Sequence, residues 1–237
     1  NILGVDTDGA GSADPDGWSD LDTARASWTC RYNLLNTMPA KKFLNKIQFE
    51  GGFISTFSSS GDIKYIFVKN SYSSANHTLD KNDLADVFFA HTPLSSLITD
   101  MLVSYDPHPA RNKIYRGQVT ASDSTIRGNY NISSAKVVNY KLDALVGAIG
   151  SDLTPSTPNA GFIDYYGNLR TSPRVIMKAS IVNPALFDME LGDICTFSSM
   201  LPATAFNKSF SGAYFMVTSL TRSSGKLQGE FIDVTET

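Results

Sequence analysis

Three histidines, His77, His91 and His108, are the residues best suited to proton transfer or zinc ligation, and their spacing supports neither. No two stand at i, i+4, and none sits in the His-Glu-x-x-His frame that places two ligands and a base on one helix face. Ser133-Ser134-Ala135-Lys136 has the Ser-x-x-Lys spacing in which a lysine activates a serine, but the Ser-Asp-Asn and Lys-Thr-Gly companions of that chemistry are missing. Neither a Gly-x-Ser-x-Gly elbow nor a P-loop occurs. Glu50 and Glu190 lie beside glycine-containing turns, and a glycosidase would need one of them paired with an Asp at a set separation. The sequence predicts no enzyme and no cofactor.

The acidic stretch before Ala26 raises a different chemistry. Asp6-x-Asp8, followed by Gly11 and Asp14, imitates the start of a calcium-binding loop. Ala10 stands at the fifth position and Gly17 at the twelfth, where a bidentate glutamate is needed, so a solvated acidic arm is the expected state. Cys30 and Cys195 fit no metal spacing and are expected as buried free thiols. Tyr65, Tyr72, Tyr165 and Tyr166 could form a sugar platform, but such residues more often pack in strands against a core or a partner. Asn-x-Ser/Thr at Asn76, Asn131 and Asn207 matters only in a eukaryotic secreted protein.

A charged fraction of 18% is low, and the net charge of -3 comes with basic residues scattered along the chain. A nucleic-acid surface would need them clustered. No apolar run reaches the length of a membrane span, and the first residues given lack the basic-then-apolar layout expected of a signal peptide. Asn1 as first residue points to a segment of a longer polypeptide. A chain of 237 residues can bury a core without staples, and its Ser/Thr/Asn-rich surface suits packing against partners.

The elements follow from periodicity. Alternation predicts a strand at 28–35, and Phe43, Leu44 and Ile47 at helical spacing predict a short helix over 40–50, stopped by Gly51-Gly52. Strands are expected at 53–57 and 63–68 around a Gly-Asp turn, at 98–105 and at 115–121. A helix is possible over 137–149, weakened by Gly147, and another is expected from Asn159 as cap through Tyr166. Residues 151–158 are linker-like. The last third has strands at 174–182 and 194–197, separated by the turn Leu191-Gly192-Asp193. It ends in a hairpin, 214–222 with 226–234, around a three-residue loop whose Gly225 takes the left-handed position. The fold class is mainly β, as antiparallel sheets or barrel-like domains with two or three short helices. The expected organisation is an arm at 1–26, an α+β domain at 27–150, a linker with a short helix at 151–172 and a closing β-domain at 173–237.

Several passages together resemble tail-tip and baseplate hub proteins of tailed bacteriophages. In the last third these are Pro173-Arg174, then Leu191-Gly192-Asp193-Ile194, then Phe215-Met216-Val217-Thr218-Ser219 with Gly225. Upstream, LNKIQFEGGFISTFSSSGDIKYIFV repeats that family's order of helix, glycine stop, strand, Gly-Asp turn and strand. Val103-Ser104-Tyr105-Asp106 resembles its strand ending, and 123–130 resembles its edge loop. The resemblance implies a structural protein of the virion, made in the bacterial cytoplasm. It would be placed at the distal tail, assembled in threes with other tail proteins, and involved in host attachment and genome delivery. A host surface glycan or receptor is a further partner under that reading. The alternatives from other classes are a carbohydrate-binding or adhesin module and a cell-wall glycan hydrolase. Met200, Leu201, Phe206 and Phe210 lie in a long loop at 200–212, longer than the family pattern. They are the expected partner contacts, because apolar side chains outside regular strands mark interaction surfaces.

Overall fold

The computed structural model describes residues 16–32, 37–111, 114–199, 204–206, 208–223 and 226–235. The fold is mainly β, with four short α-helices among the described residues. The chain divides into two compact units, each assembled from two separate segments: Asn1–Lys69 with Leu97–Ser172, and Asn70–Ser96 with Pro173–Thr237.

In the first unit, α1 (Trp18–Ala24) follows Gly17, whose φ of +77° lets the chain enter the helix. The next helix, α2 (Ala40–Gly51), starts after Pro39, where a missing N–H costs no helical bond, and ends at Gly52 in the left-handed conformation. β1 (Ile54–Phe57) and β2 (Ile63–Ile66) form an antiparallel hairpin. A three-stranded sheet has β5 (Asp100–Pro107) in its middle, antiparallel to β6 (Tyr115–Ser122) and parallel to β7 (Val137–Lys141). Two further helices complete the unit, α3 (Ser124–Asn129) and α4 (Phe162–Arg170). Ile98, Met101, Val103, Leu142, Leu145, Leu153, Phe162 and Ile163 form its centre.

The second unit is one open six-stranded sheet. It contains β3 (His77–Leu79), β4 (Leu84–His91), β8 (Val175–Ile181), β9 (Ile194–Phe197), β12 (Phe215–Ser223) and β13 (Lys226–Asp233), in the order β3-β9-β12-β13-β8-β4. Opposed residues form rows across it. Phe89, Met177, Phe231 and Val217 face each other on four successive strands and build the core on one side. A separate two-residue pair, β10 (Thr204–Ala205) and β11 (Lys208–Ser209), lies in the loop after β9.

Several expectations are corrected. Residues 28–32 form no strand and contribute only a bridge from Cys30 to Leu145. The 123–130 passage is α3, capped by Asp123, whose side chain accepts from Thr125 N at 2.7 Å. No helix forms over 137–149: 137–141 is β7, because Val137, Val138 and Tyr140 favour a strand once β5 is alongside, and 142–149 is irregular. The linker-like segment holds Leu153, which is 2% exposed. Asn159 caps nothing; it accepts from Arg25 and donates to Val68 O, while α4 starts after Gly161. The four closing strands pair antiparallel as expected, and β3, from outside that segment, adds to β9 in parallel. Ser223 pairs with Lys226 and so belongs to β12 rather than to the hairpin loop. Cys30 is exposed, and only Cys195 is a buried thiol.

Candidate functional site

In the second unit, Leu191, Gly192 and Asp193 join the chain to the start of β9. Leu191 is exposed, and Gly192 adopts φ +82°. The turn is stitched to β12 through Gly192 N donating to Val217 O and Val217 N donating to Asp193 O, both at 2.9 Å. The Asp193 carboxylate, buried, accepts from Glu190 N at 2.8 Å and lies 3.1 Å from His77 Nε2. Gly225 lies outside the described residues.

That pair brings an imidazole and a carboxylate together across 116 positions of sequence. Cys195 is the strand partner of His77, so a cysteine, a histidine and an aspartate share one corner of the sheet. Nucleophilic catalysis does not follow. Cys195 is fully buried, and burial first, with the Asp193 charge second, pushes its thiol up to about 12, so the thiolate is not formed at neutral pH. The trio holds β3 and the turn onto β9. The other two histidines are used locally: His91 Nδ1 is 2.9 Å from Thr92 O, and His108 Nδ1 accepts from Ala110 N. Among the described residues no three His, Cys, Asp or Glu side chains are placed to hold a metal. Asp6, Asp8 and Ala10 of the acidic arm lie outside them.

Of the four apolar residues expected at a partner surface, Met200 and Leu201 lie outside the described residues. The other two separate. Phe210 is 2% exposed and packs in the core against Phe89, Phe197 and Phe215. Phe206, after β10, is 54% exposed and holds φ +52°, with its ring edge-on to His91 at 5.0 Å. A bulky residue in the left-handed region carries strain.

The first unit contains a cavity of about 410 Å³ between α1, α2 and the β1–β2 hairpin. Its walls include Trp18, Leu21, Trp28, Ile47, Phe53 and Tyr65, with Leu44, 40% exposed, and the exposed Asp22 also lining it. Two charges are fixed at its inner side. The Arg25 guanidinium lies 4.2 Å from the Trp28 ring and 4.6 Å from the Tyr165 ring, and donates to Gly51 O and Asn159 Oδ1. Glu50 is the most buried residue of α2, at 2% exposure; its two carboxylate oxygens accept from the N–H groups of Asp143, Ala144 and Leu145 at 2.7–2.9 Å. Burial pushes its pKa up, against the opposing pull of those N–H groups and of Lys46. With both oxygens engaged by backbone N–H groups, Glu50 is an anchor for the 143–145 backbone. The four tyrosines form no shared platform. Tyr165 and Tyr166 lie in α4, where Tyr165 OH accepts from Val68 N and Tyr166 OH donates to Phe49 O. Tyr72 stacks on Tyr214, and only Tyr65 lines the cavity.

No known protein family matches the sequence, and no curated protein matches it. Solved structures do. A chain in the virion of a native gene transfer agent particle aligns over 83% of this chain and 40% of its own length, at 12% identity and a TM-score of 0.54. The 43 kDa tail protein of prophage MuSo2 from Shewanella oneidensis aligns over 85% of this chain and 56% of its own, at 8% identity and a TM-score of 0.45. A tail protein from Neisseria meningitidis aligns over 91% and 65%, at 10% identity and a TM-score of 0.47. The chain therefore spans between two fifths and two thirds of the length of these structures, and it shares its fold with the first of them.

Proposed function

We propose that the chain is a structural component of a bacteriophage tail, at the tip or baseplate hub, and that it acts by assembly rather than by chemistry. The observation that carries this reading is the fold shared over 83% of the chain with a component of a virion particle. The side chains are consistent with it. The residues that could do chemistry are spent on holding backbone, as at Glu50 and Asp193, and the aromatic Phe206 leaves about half of its surface exposed. In this reading the chain packs with other tail proteins in a ring of three copies, within the virion, and takes part in host attachment and genome delivery. Phe206 is a partner contact; Phe210, being buried, supports the loop from beneath. Cross-linking mass spectrometry on intact virions tests the reading, with Lys208 beside the loop and Lys226 on the hairpin as reporters. Links from both to other copies or other tail proteins are expected. Links confined to their own chain, together with degradation of a bacterial surface polymer by the purified protein, would replace it with the enzyme reading.

A further inference from the structure

An open β-sheet ends in two strands whose outer backbone groups have no ladder partner, and natural sheets guard such edges with bulges, prolines, charges or brevity. Among the described residues β4 is broken by a register shift between Ala85 and Phe88, where Asp86 holds φ +53°, while β3 has three residues and β1 four. The three-stranded sheet is different. Its order is β6-β5-β7, and β6 follows β5 in one register from Tyr115 to Ser122 with no shift. The strand contains neither proline nor lysine, and its one charge, Arg116, lies near its start, 3.8 Å from Asp106 Oδ2. At the opposite end of the sheet, β7 is likewise regular from Val137 to Lys141.

These two edges are complementary in direction and in side chains. Because β5 is antiparallel to β6 and parallel to β7, the edge strands run in opposite directions, and a second copy set beside the first brings β7 antiparallel onto β6. The level of each residue follows from β5: Leu102 opposes both Thr120 and Asn139, and Ser104 opposes both Gln118 and Lys141. Joining the sheets at that level sets Asn139 against Thr120 and Lys141 against Gln118, so no like charges meet. On the covered face Val138 comes beside Ala121 and Tyr140 beside Val119, all four being part of the unit's apolar layer.

We infer that β6 of one copy pairs antiparallel with β7 of a second copy, extending the three-stranded sheet from chain to chain. Such a contact is heterologous, uses each edge once per copy, and closes into a ring when the rotation allows. The inference rests on the assembly reading and adds the surface and the register through which copies meet.

Thr120→Cys and Asn139→Cys test the pairing, made separately in full chains that carry Cys30→Ser and differ in mass. Within one chain these positions lie on either side of β5, roughly 10 Å apart and too far for a disulfide, so a link reports two copies. Mild oxidation of the mixed chains should join the two introduced thiols, found by peptide mapping, with little product from either chain alone. Adding Gln118→Lys to the first chain should lower the yield about fivefold through a like-charge pair with Lys141, and adding Lys141→Glu to the second should restore it. All four positions are exposed, and an unchanged urea midpoint verifies that each variant is folded. Equal linking within either chain type alone, a yield indifferent to the charge at 118, or no link while both thiols react with a maleimide would overturn the pairing. If virion cross-links still join Lys226 to other tail proteins in that case, the assembly reading stands and only this pairing falls.

Discussion

Two connections in this molecule are fixed by opposite means. Between β8 and β9 the chain turns at Leu191-Gly192-Asp193, where a glycine supplies the backbone angle and main-chain bonds to Val217 do the anchoring. Between β7 and α4 the chain runs through 142–153 with little regular structure and is buried along much of its length. There two acids grip it by its N–H groups: Glu50 at 143–145, and Asp164 at Ser151 and Asp152. The comparison teaches that a buried irregular segment needs side-chain acceptors where a turn on a sheet edge can use the neighbouring strand. It also predicts that the two connections break differently.

The largest effect is expected at Gly150. Its φ is +74°, and a Cβ there would run into the Asp164 carboxylate. Gly150→Val should therefore cost roughly 3–5 kcal/mol, from backbone strain plus a disrupted buried hydrogen-bond site, read as a lowered urea midpoint. A parent-like midpoint would mean that the segment is not clamped. Next comes Glu50→Ala, which strands three backbone donors and should cost about 3 kcal/mol. Glu50→Gln keeps one acceptor oxygen and should lose about half as much. Equal losses for the two variants would show that the packing of the side chain matters and its oxygens do not.

The turn should yield less. Gly192→Val is expected to cost about 1–3 kcal/mol as left-handed strain. Asp193→Ala should cost about 1–2 kcal/mol, for a buried carboxylate that serves both Glu190 N and His77. Denaturant midpoints of the two variants give the ranking, and a reversal would move the weight of this connection from its backbone angle to its carboxylate.

The smallest effect is a pH dependence confined to the gripped segment. Burial raises the pKa of both Glu50 and Asp164 above the ordinary 4.5 and 3.8. The folded chain thus holds these protons to higher pH than the unfolded chain does. Their stabilising contribution is fully present below the unfolded values and is lost as pH rises through the folded ones. The stability difference between the parent and Glu50→Gln/Asp164→Asn should therefore shift against the parent on going upward from about pH 4, in parallel denaturant titrations. A flat difference would place the two carboxyls nearer to solvent than their burial implies.

The two connections also differ in how far the sequence discloses them. The turn, the β12–β13 hairpin, α2 and the β1–β2 pair depend on neighbours within a few residues, and glycine placement and alternation mark them. α2 shows the limit of that reading: its apolar spacing locates the helix, while its most buried side chain is Glu50, whose partners lie about 93–95 residues on. β7 looks helical until β5 lies beside it, and 28–32 alternates like a strand but finds only one bridging partner. Phe206 and Phe210 are indistinguishable by type; outside a regular element no period says which of them turns inward. The His77–Asp193 pair and the aromatic cavity are made by contacts across distant segments, and no local pattern carries them.

The split of the second unit into two segments has a consequence for synthesis on the ribosome. β3 ends at Leu79, and its strand partner among the described residues begins at Ile194, about 115 residues later. At about 5–20 residues per second, β3 emerges roughly 6–23 s before β9, and β4, whose partner β8 begins about 84 residues after His91, roughly 4–17 s before β8. Over that interval Val87, Phe88 and Phe89 are exposed on a nascent strand with no sheet to join. A rearranged gene that places 70–96 directly before 173 would remove that wait, and should give a second unit that forms sooner and aggregates less during translation.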